Sequence, residues 1–449
     1  MFRLSRSQVL PIGLDIGYDG VKMLQLETGP QQTLSVAAAA RHPLPDEVRS
    51  DPKLRMPAAV EAIRKLFRQG SFHGREVVVS LPRDVVHVKN LRLPMIPAHE
   101  LGAAVKFEAR NIFSFDTEEA HVRYLPAGEV RQGTDVRQEV IVVAAKFADV
   151  DHFLEQMHRS GAVVASLDHE PLAIYRSLER FIRRREDEQE VHVLVDIGAR
   201  RSQVVIGRGR EISFIKPIDV GSRQLLAAVS EKVGISVDEA RALRRRLTET
   251  ESDPGAKRDP VRQAVFDAVR SIVEDLGREI SLCLRYYSVT FRGQRPNKVR
   301  LVGGEASDGQ LQAVLNTVLP IPAESGRPLL NVDTSRMRPV DRAGAMGEWA
   351  LAFGLALRTT KGSFGLLDGT PRTAMDPSNG EITLQPLTAG AEVVDLNTAI
   401  KGVSAAIAAP VVTTAASNGP DLDVVSPAPR TTDANRTSTS SVESEVARA

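Results

Sequence analysis

The chain opens on a motif that it repeats 181 residues later. The segment "PIGLDIGYDGVKMLQLE" begins at Pro11, and "VHVLVDIGARRSQVVIG" begins at Val191. Each contains an apolar strand, the residues Asp-Ile-Gly, a polar bend of four or five residues and a second β-rich strand. Helix-rich sequence follows both copies. A duplicated strand–turn–strand opening predicts two related α/β halves that face one another.

The residues of these two turns are suited to binding phosphate. Gly17 and Gly198 allow backbone N–H groups to turn toward a phosphate group. Asp15 and Asp196 are anions and cannot bind phosphate directly, but each can hold a hydrated Mg²⁺ that bridges to it. Lys22, on the returning strand, adds a positive charge. Either turn alone is also ordinary hairpin chemistry, whereas the pair predicts a nucleotide site.

A third glycine turn follows later in the chain. The segment "VRLVGGEA", residues 299–306, is a predicted strand that ends in Gly303 and Gly304 and leads into a helix. Paired glycines at this point would let a purine or ribose lie flat against the backbone. By itself, the pair is equally typical of a strand-to-helix turn.

Charge and cysteine content exclude several classes of protein. Lysine and arginine total 58 against 57 acidic residues, so no overall field favours nucleic acid. Cys283 is the only cysteine, which excludes a disulfide framework and a cysteine-based zinc site. No apolar run approaches the ~20 residues that span a bilayer, and the N-terminus lacks a signal-peptide pattern. We therefore expect a soluble, cytoplasmic protein with no membrane span of its own.

The sequence predicts two lobes and a tail. The first lobe covers residues 1–190, with an inserted subdomain at about 75–165, and the second covers 191–358. From residue 359 to 449 the chain is rich in alanine, threonine, serine and proline. Such a composition has little to bury, so we expect a flexible tail.

With the three turns in this order, the chain resembles the actin-like ATPase superfamily, which includes actin, sugar kinases and FtsA. Within it the chain is most similar to the PilM family of type IV pilus biogenesis. The most specific segment is "VVVSLPRDVVHVKNLRLPMIPAHELGAAVKFEARNIFSFDTEEAHVRY", supported by "IKPIDVGSRQL", "GISVDEARALR" and "WALAFGLALR". The resemblance covers about residues 10–358. It implies an α/β, actin-like fold of two ribonuclease H-like lobes with a small inserted α+β subdomain.

The resemblance also implies a set of site residues for ATP and Mg²⁺. These are Asp15 and Gly17 in the first phosphate turn, Lys22 near the β- or γ-phosphate, Asp196, Gly198 and Ser202 in the second turn, Gly221 in the turn after "IDV", and Gly303 and Gly304 beside the adenosine. Asp15 and Asp196 would hold the metal. Glu170 is the candidate for positioning a hydrolytic water.

Five residues in three turns depart from the family pattern. Tyr18 and Asp19 stand where small hydroxyl residues are usual, the second turn carries Arg200 and Arg201, and Ser222 replaces a common glycine. A second carboxylate near the phosphates lowers nucleotide affinity unless it turns outward or binds metal. We therefore expect nucleotide binding with slow or absent hydrolysis.

The family resemblance implies an ATP-binding cytoplasmic scaffold. It would dock the N-terminal tail of a PilN-like inner-membrane protein and so sit at the inner face of the bacterial inner membrane. One alternative is a small-molecule kinase of the same superfold, for which His87, His121 and His169 are too scattered to indicate a catalytic base. The other is a filament-forming actin homologue that self-associates.

Overall fold

The computed structural model describes residues 8–29, 33–132, 134–182, 184–249, 259–291, 295–342, 344–359 and 392–408. Its strands are β1 Gln8–Val9, β2 Ile12–Ile16, β3 Gly20–Thr28, β4 Leu34–Pro43, β5 Glu76–Ser80, β6 His87–Pro94, β7 Ala120–Gln132, β8 Asp135–Lys146, β9 Val163–Asp168, β10 Val191–Ile197, β11 Ser202–Arg208, β12 Glu211–Ile218, β13 Val299–Gly303, β14 Ala323–Ser325 and β15 Glu392–Val394. Its helices are α1 Asp46–Ser50, α2 Pro52–Gln69, α3 Ala98–Ile112, α4 Phe147–Ser160, α5 Glu170–Glu179, α6 Ser222–Val233, α7 Val237–Glu249, α8 Pro260–Thr290, α9 Gly309–Val318, α10 Ala350–Ala356 and α11 Leu396–Ala408.

The first sheet contains the first Asp-Ile-Gly turn. Its strand order is β1-β3-β2-β5-β9, and β4 pairs with β3. β2 and β3 form an antiparallel hairpin, while β2, β5 and β9 run parallel. Helices α2 and α4 bury apolar side chains against one face, and α10 packs on the other.

The second sheet repeats this arrangement, as the duplicated motif predicts. Its order is β12-β11-β10-β13-β14, in which β10 and β11 form the hairpin and β13 runs parallel to β10. The register matches that of the first sheet, because Asp15 lies opposite Lys22 and Asp196 lies opposite Gln203. The two turns therefore occupy equivalent positions in two related sheets.

Helix α8 covers one face of the second sheet together with α6 and α9. Asp259 caps its first turn by accepting a hydrogen bond from the Val261 N–H at 2.9 Å. Its buried residues recur every three or four positions: Val265, Val269, Val273, Leu276, Ile280 and Cys283. This spacing gives the helix one apolar side, which forms the core with the second sheet.

Between β5 and β9 the chain forms a separate inserted sheet. Its order is β15-β6-β8-β7, and α3 packs its buried side against β6 and β8. The three consecutive strands of this sheet lie within residues 87–146. The boundaries expected from sequence, about 75–165, stay a prediction; at their start, β5 pairs with β2 in the first sheet.

The fourth strand of the inserted sheet comes from the tail. Composition predicted a flexible segment from residue 359, but residues 392–408 form β15 and α11. Val394 and Ile400 are buried, at 8% and 3% exposure, and composition averaged over a long segment hides two such anchors. Residues 360–391 and 409–449 lie outside the described residues.

Candidate functional site

The first acidic turn joins β2 to β3. Asp15 is buried, and its Oδ2 accepts a hydrogen bond from Lys22 Nζ at 3.3 Å. A Cβ at Gly17 would lie 3.1 Å from the Gly20 carbonyl oxygen, so the glycine lets the hairpin close tightly. Strand register thus places the lysine beside the aspartate.

The second acidic turn joins β10 to β11. A Cβ at Gly198 would lie 2.8 Å from the Arg201 carbonyl oxygen, which is the same close approach as in the first turn. Gly303, at the end of the neighbouring β13, has a φ of +92°, and a Cβ there would lie 2.5 Å from Asp196 Oδ1. Only glycine fits at this position, so the third glycine turn lies directly beside the second aspartate.

Arg83, from the first-sheet half, contacts Glu170 and the second acidic turn. It follows β5, and its Nε and Nη2 each lie 2.5 Å from an oxygen of the Glu170 carboxylate. The same Nη2 lies 3.5 Å from Asp196 Oδ2. Sequence reasoning missed this residue. The available signal was its place after a buried strand parallel to β2, because the ends of parallel strands meet at one edge of a sheet.

We call Asp15, Lys22, Arg83, Glu170 and Asp196 the Arg83 cluster. It holds three carboxylates and two cations, so with all groups ionised it is short of one positive charge. Burial raises the pKa of Asp196 to about 7, and the Glu170 carboxylate adds to the increase while Arg83 opposes it. Asp196 therefore changes its charge near neutral pH.

Ion-pair partners hold Lys22 and Glu170 in their charged forms, whereas at Asp15 the effect of burial is larger than that of the partner. Burial raises the pKa of Asp15, and the nearby Lys22 only partly offsets it. Burial lowers the pKa of Lys22, but Asp15 and other carboxylates outweigh this, so the net pKa is raised. Burial favours the neutral form of Glu170, yet the ion pair with Arg83 outweighs it and lowers the pKa.

Ser202 and Gly221 lie behind the second turn. The fully buried Ser202 hydroxyl donates a hydrogen bond to the Val220 carbonyl oxygen at 2.7 Å. A Cβ at Gly221 would lie 2.6 Å from the Ala199 carbonyl oxygen. Both residues therefore fix the position of the second turn through backbone contacts.

Gly304 borders open space, since a Cβ there would contact nothing within 4 Å. A cavity of about 620 Å³ lies close by, lined by α7, the start of α8 and the loop that includes Asp308. At its edge, Arg244 Nη2 lies 2.6 Å from Glu305 and 2.7 Å from Asp308. The cavity is large enough for a nucleoside, and its lining includes Ser307, three residues after Gly304.

The two unusual residues of the first turn contact the second-sheet half. Guanidinium groups lie over the Tyr18 ring at 4.6 Å for Arg55, 5.7 Å for Arg200 and 5.6 Å for Arg223, each measured to the ring centroid. Asp19 Oδ2 lies 2.8 Å from Arg241 Nη1 on α7. The second carboxylate of this turn is therefore neutralised by an arginine.

The structure supports no histidine base at the Arg83 cluster. His169 precedes Glu170, and burial lowers its pKa to about 4, so the ring is a weak proton acceptor. Within the described ranges, no group of three or more histidine, cysteine or acidic residues could hold a metal on its own. Nor does any helix in that part of the chain have the length and apolarity to cross a membrane.

The chain is similar to several solved structures. A chain of the "PilM-PilN type IV pilus biogenesis complex" is 23% identical, with a TM-score of 0.63, and the match covers 78% of this chain and 98% of that one. The ethanolamine utilization protein EutJ of Carboxydothermus hydrogenoformans is 13% identical, covers 80% and 92%, and has a TM-score of 0.45. MreB5 of Spiroplasma citri bound to AMPPNP is 12% identical, covers 79% and 96%, and has a TM-score of 0.41.

The similarity to the first of these structures and the two duplicated sheets establish the actin-like ATPase fold expected from sequence. The sequence model of the family "Type IV pilus assembly protein PilM" matches residues 13–360. This match spans both acidic turns, the inserted sheet and the paired glycines. The chain belongs to the PilM family of type IV pilus assembly proteins.

Proposed function

We propose that this PilM-family chain binds Mg²⁺-ATP between its two acidic turns. The observation that carries the proposal is the charge of the Arg83 cluster, in which the buried Asp15 and the part-buried Glu170 and Asp196 carboxylates face two cations. A hydrated Mg²⁺ held by Asp15 and Asp196 would supply the missing positive charge and bridge to the phosphates. Lys22 would then neutralise part of the phosphate charge.

The adenosine would lie against the glycine turn after β13. Gly304 presents bare backbone to open space, and the nearby cavity of about 620 Å³ is large enough for a purine and its ribose. Gly303 brings this surface next to Asp196, so one ligand could contact both.

Hydrolysis would be slow in this site. A residue that activates water must accept its proton, but both oxygens of Glu170 are occupied by Arg83, and its pKa is lowered. The same observation weighs against the small-molecule kinase, which also needs a base. ATP would therefore act mainly as a ligand that favours one arrangement of the proposed lobes, 1–190 and 191–358.

The protein would act as a scaffold at the inner face of the bacterial inner membrane. Membership of the PilM family and the solved PilM–PilN complex support docking of the N-terminal tail of a PilN-like membrane protein. The inserted sheet, which lies outside both duplicated sheets, is the part of this chain suited to binding an extended peptide.

Calorimetric titration of the full chain with Mg²⁺-ATP tests the nucleotide proposal. Asp196→Ala should weaken binding while leaving the melting transition in place. The control is Asp151→Ala, which removes an exposed aspartate of α4 and should bind as the wild type does. Equal affinity in both variants would refute the site.

A second experiment tests the docking proposal. The full chain is immobilised and incubated with detergent-solubilised bacterial inner membranes, with and without Mg²⁺-ATP. We expect retention of a PilN-like membrane protein in an amount that ATP changes. Sedimentation of the chain alone with ATP as filaments would favour the self-associating alternative.

A further inference from the structure

The tail segment 392–408 folds back onto the inserted sheet. β15 pairs antiparallel with β6, with Glu392 opposite Arg92, Val393 opposite Leu91 and Val394 opposite Asn90. α11 follows directly and packs against α8 of the second-sheet half. This segment lies beyond residue 360, where the match to the family model ends.

The segment binds where the inserted sheet meets the second-sheet half. Arg92 on β6 donates to the buried Glu139 at 2.7 Å and to the Tyr286 hydroxyl of α8 at 2.9 Å. Glu392 stands opposite this arginine in the β15–β6 pairing and contributes to its raised pKa. The exposed Glu392, at the start of the segment, thus lies opposite the cationic Arg92 on β6.

Backbone pairing of β15 and the entry of Ile400 into the core beside α8 hold the segment. Within the segment, Asp395 caps α11 by accepting from Asn397 N at 3.0 Å and Thr398 Oγ1 at 2.8 Å. Lys216 of β12 also donates a hydrogen bond to the Asn397 side chain. Strand addition with a few side-chain anchors is a common mode of peptide recognition.

These contacts are few for the length of chain that they order. Val394 and Ile400 are the anchors that are nearly fully buried, whereas Val393 is 49% exposed. Leu396, Ala399 and Val403 are only partly buried against the core. The conformational entropy lost in ordering the backbone of residues 392–408 opposes these contacts. The segment can therefore be displaced without unfolding the three sheets.

We infer that the β6 edge at Asn90–Arg92, with the adjoining surface of α8, is a peptide-docking site that residues 392–408 occupy in cis. Its ligand in trans is a partner segment of the same chemistry, namely an extended acidic and β-branched strand followed by a helix with one aliphatic anchor. This inference deepens the proposed docking function and rests on it for the partner. A partner that uses this edge has to displace the chain's own segment.

The test uses the full chain and a fluorescent synthetic peptide of residues 392–408 as the probe. Val394→Asp with Ile400→Asp should release the resident segment, because both residues are buried. The control, Val393→Asp with Gly402→Asp, adds the same charge on exposed positions, and a Cβ at Gly402 contacts nothing within 4 Å. If the site is nine-tenths occupied in cis, the released variant should bind the probe about tenfold more tightly than the control.

Amide hydrogen exchange provides a second readout. Exchange in residues 87–94 should accelerate in the released variant, while exchange in the second sheet stays unchanged and shows that the fold is intact. Glu392→Arg is a second variant, and it should not disturb folding because position 392 is exposed. It places like charges opposite each other at residues 392 and 92, so it should also increase probe affinity and amide exchange in β6.

Equal probe affinity in the released and control variants, or unchanged exchange at β6, would overturn the inference. Neither readout requires ATP or a membrane partner. A negative result here therefore does not contradict nucleotide binding or PilN docking. If those two proposals fail, the peptide-binding and exchange results can still be interpreted.

Discussion

The two acidic turns have the same backbone and different electrostatics. Asp15 and Asp196 occupy equivalent positions in their hairpins, and each is followed by Ile-Gly. Opposite Asp15 the returning strand carries Lys22, at 3.3 Å, whereas opposite Asp196 it carries Gln203. The only cation within 4 Å of Asp196 among the described residues is Arg83, which comes from the first-sheet half.

This difference shows how one motif can serve two roles. The first turn carries its own counter-charge, so part of the cost of burying its carboxylate is offset locally. The second turn depends on an arginine contributed from the other half, and the pKa of Asp196 rises to about 7. Any change in the placement of Arg83 will therefore alter the charge of the second turn and leave the first largely unaffected.

The largest expected effect comes from removing each carboxylate charge. Asp15→Asn and Asp196→Asn should each reduce Mg²⁺-ATP affinity by roughly 10- to 100-fold, because each loses a group that orients the metal's waters. Calorimetric titration measures this loss. Without nucleotide, the two variants should differ from each other in thermal stability.

At pH 8, Asp196→Asn should melt above the wild type and Asp15→Asn should not. The folded-state pKa of Asp196 exceeds its ordinary value, so the native state loses stability as pH rises from about 4 through 7. Asparagine removes that cost, whereas Asp15→Asn deprives Lys22 of its hydrogen-bonded partner. If the two variants melted alike at pH 8, the comparison between the turns would fail.

Removing the shared cation should affect the second turn more than the first. Arg83→Ala leaves the Glu170 and Asp196 carboxylates buried without a guanidinium, and we expect a loss of about 2 kcal/mol in the free energy of unfolding. Urea denaturation at pH 8 measures it. The matched control is Arg110→Ala, whose ion pair with Glu118 is exposed and should cost under about 0.5 kcal/mol.

Nucleotide affinity should depend on pH through the second turn. With a pKa of about 7, Asp196 is about one-tenth ionised at pH 6 and nine-tenths ionised at pH 8, so affinity for Mg²⁺-ATP should rise about tenfold. Asp196→Asn supplies the baseline, including the titration of ATP itself. A wild-type profile that runs parallel to this baseline would contradict the raised pKa.

The parts of the molecule visible from sequence were local. The hairpin, the Asp-Ile-Gly turns and the pairing of Asp15 with Lys22 follow from alternation and short spacing within one segment. The glycines at 303 and 304 were visible for the same reason. The duplication of the motif then predicted two related α/β halves, each with one acidic turn.

The contacts that sequence reasoning missed join distant segments. Arg83 and Asp196 are 113 residues apart, and Asp19 and Arg241 are 222 apart. No local pattern marks such pairs, because an arginine after a strand is usually a solvated residue. The docked segment 392–408 was hidden for a related reason, since its two apolar anchors lie within a polar, low-complexity stretch.

The smallest and most specific effect is expected from adding to the second turn a lysine at the position that Lys22 has in the first. Gln203→Lys places an ammonium group in register opposite Asp196, where Lys22 stands opposite Asp15. An opposite charge at this range should lower the pKa of Asp196 by about one unit, so the midpoint of the pH dependence of Mg²⁺-ATP affinity should move from about 7 toward 6. Gln203→Met is the control, because it has a similar length and no charge. Identical midpoints in the two variants would show that the register opposite Asp196 does not set its charge state, and that Arg83 alone does.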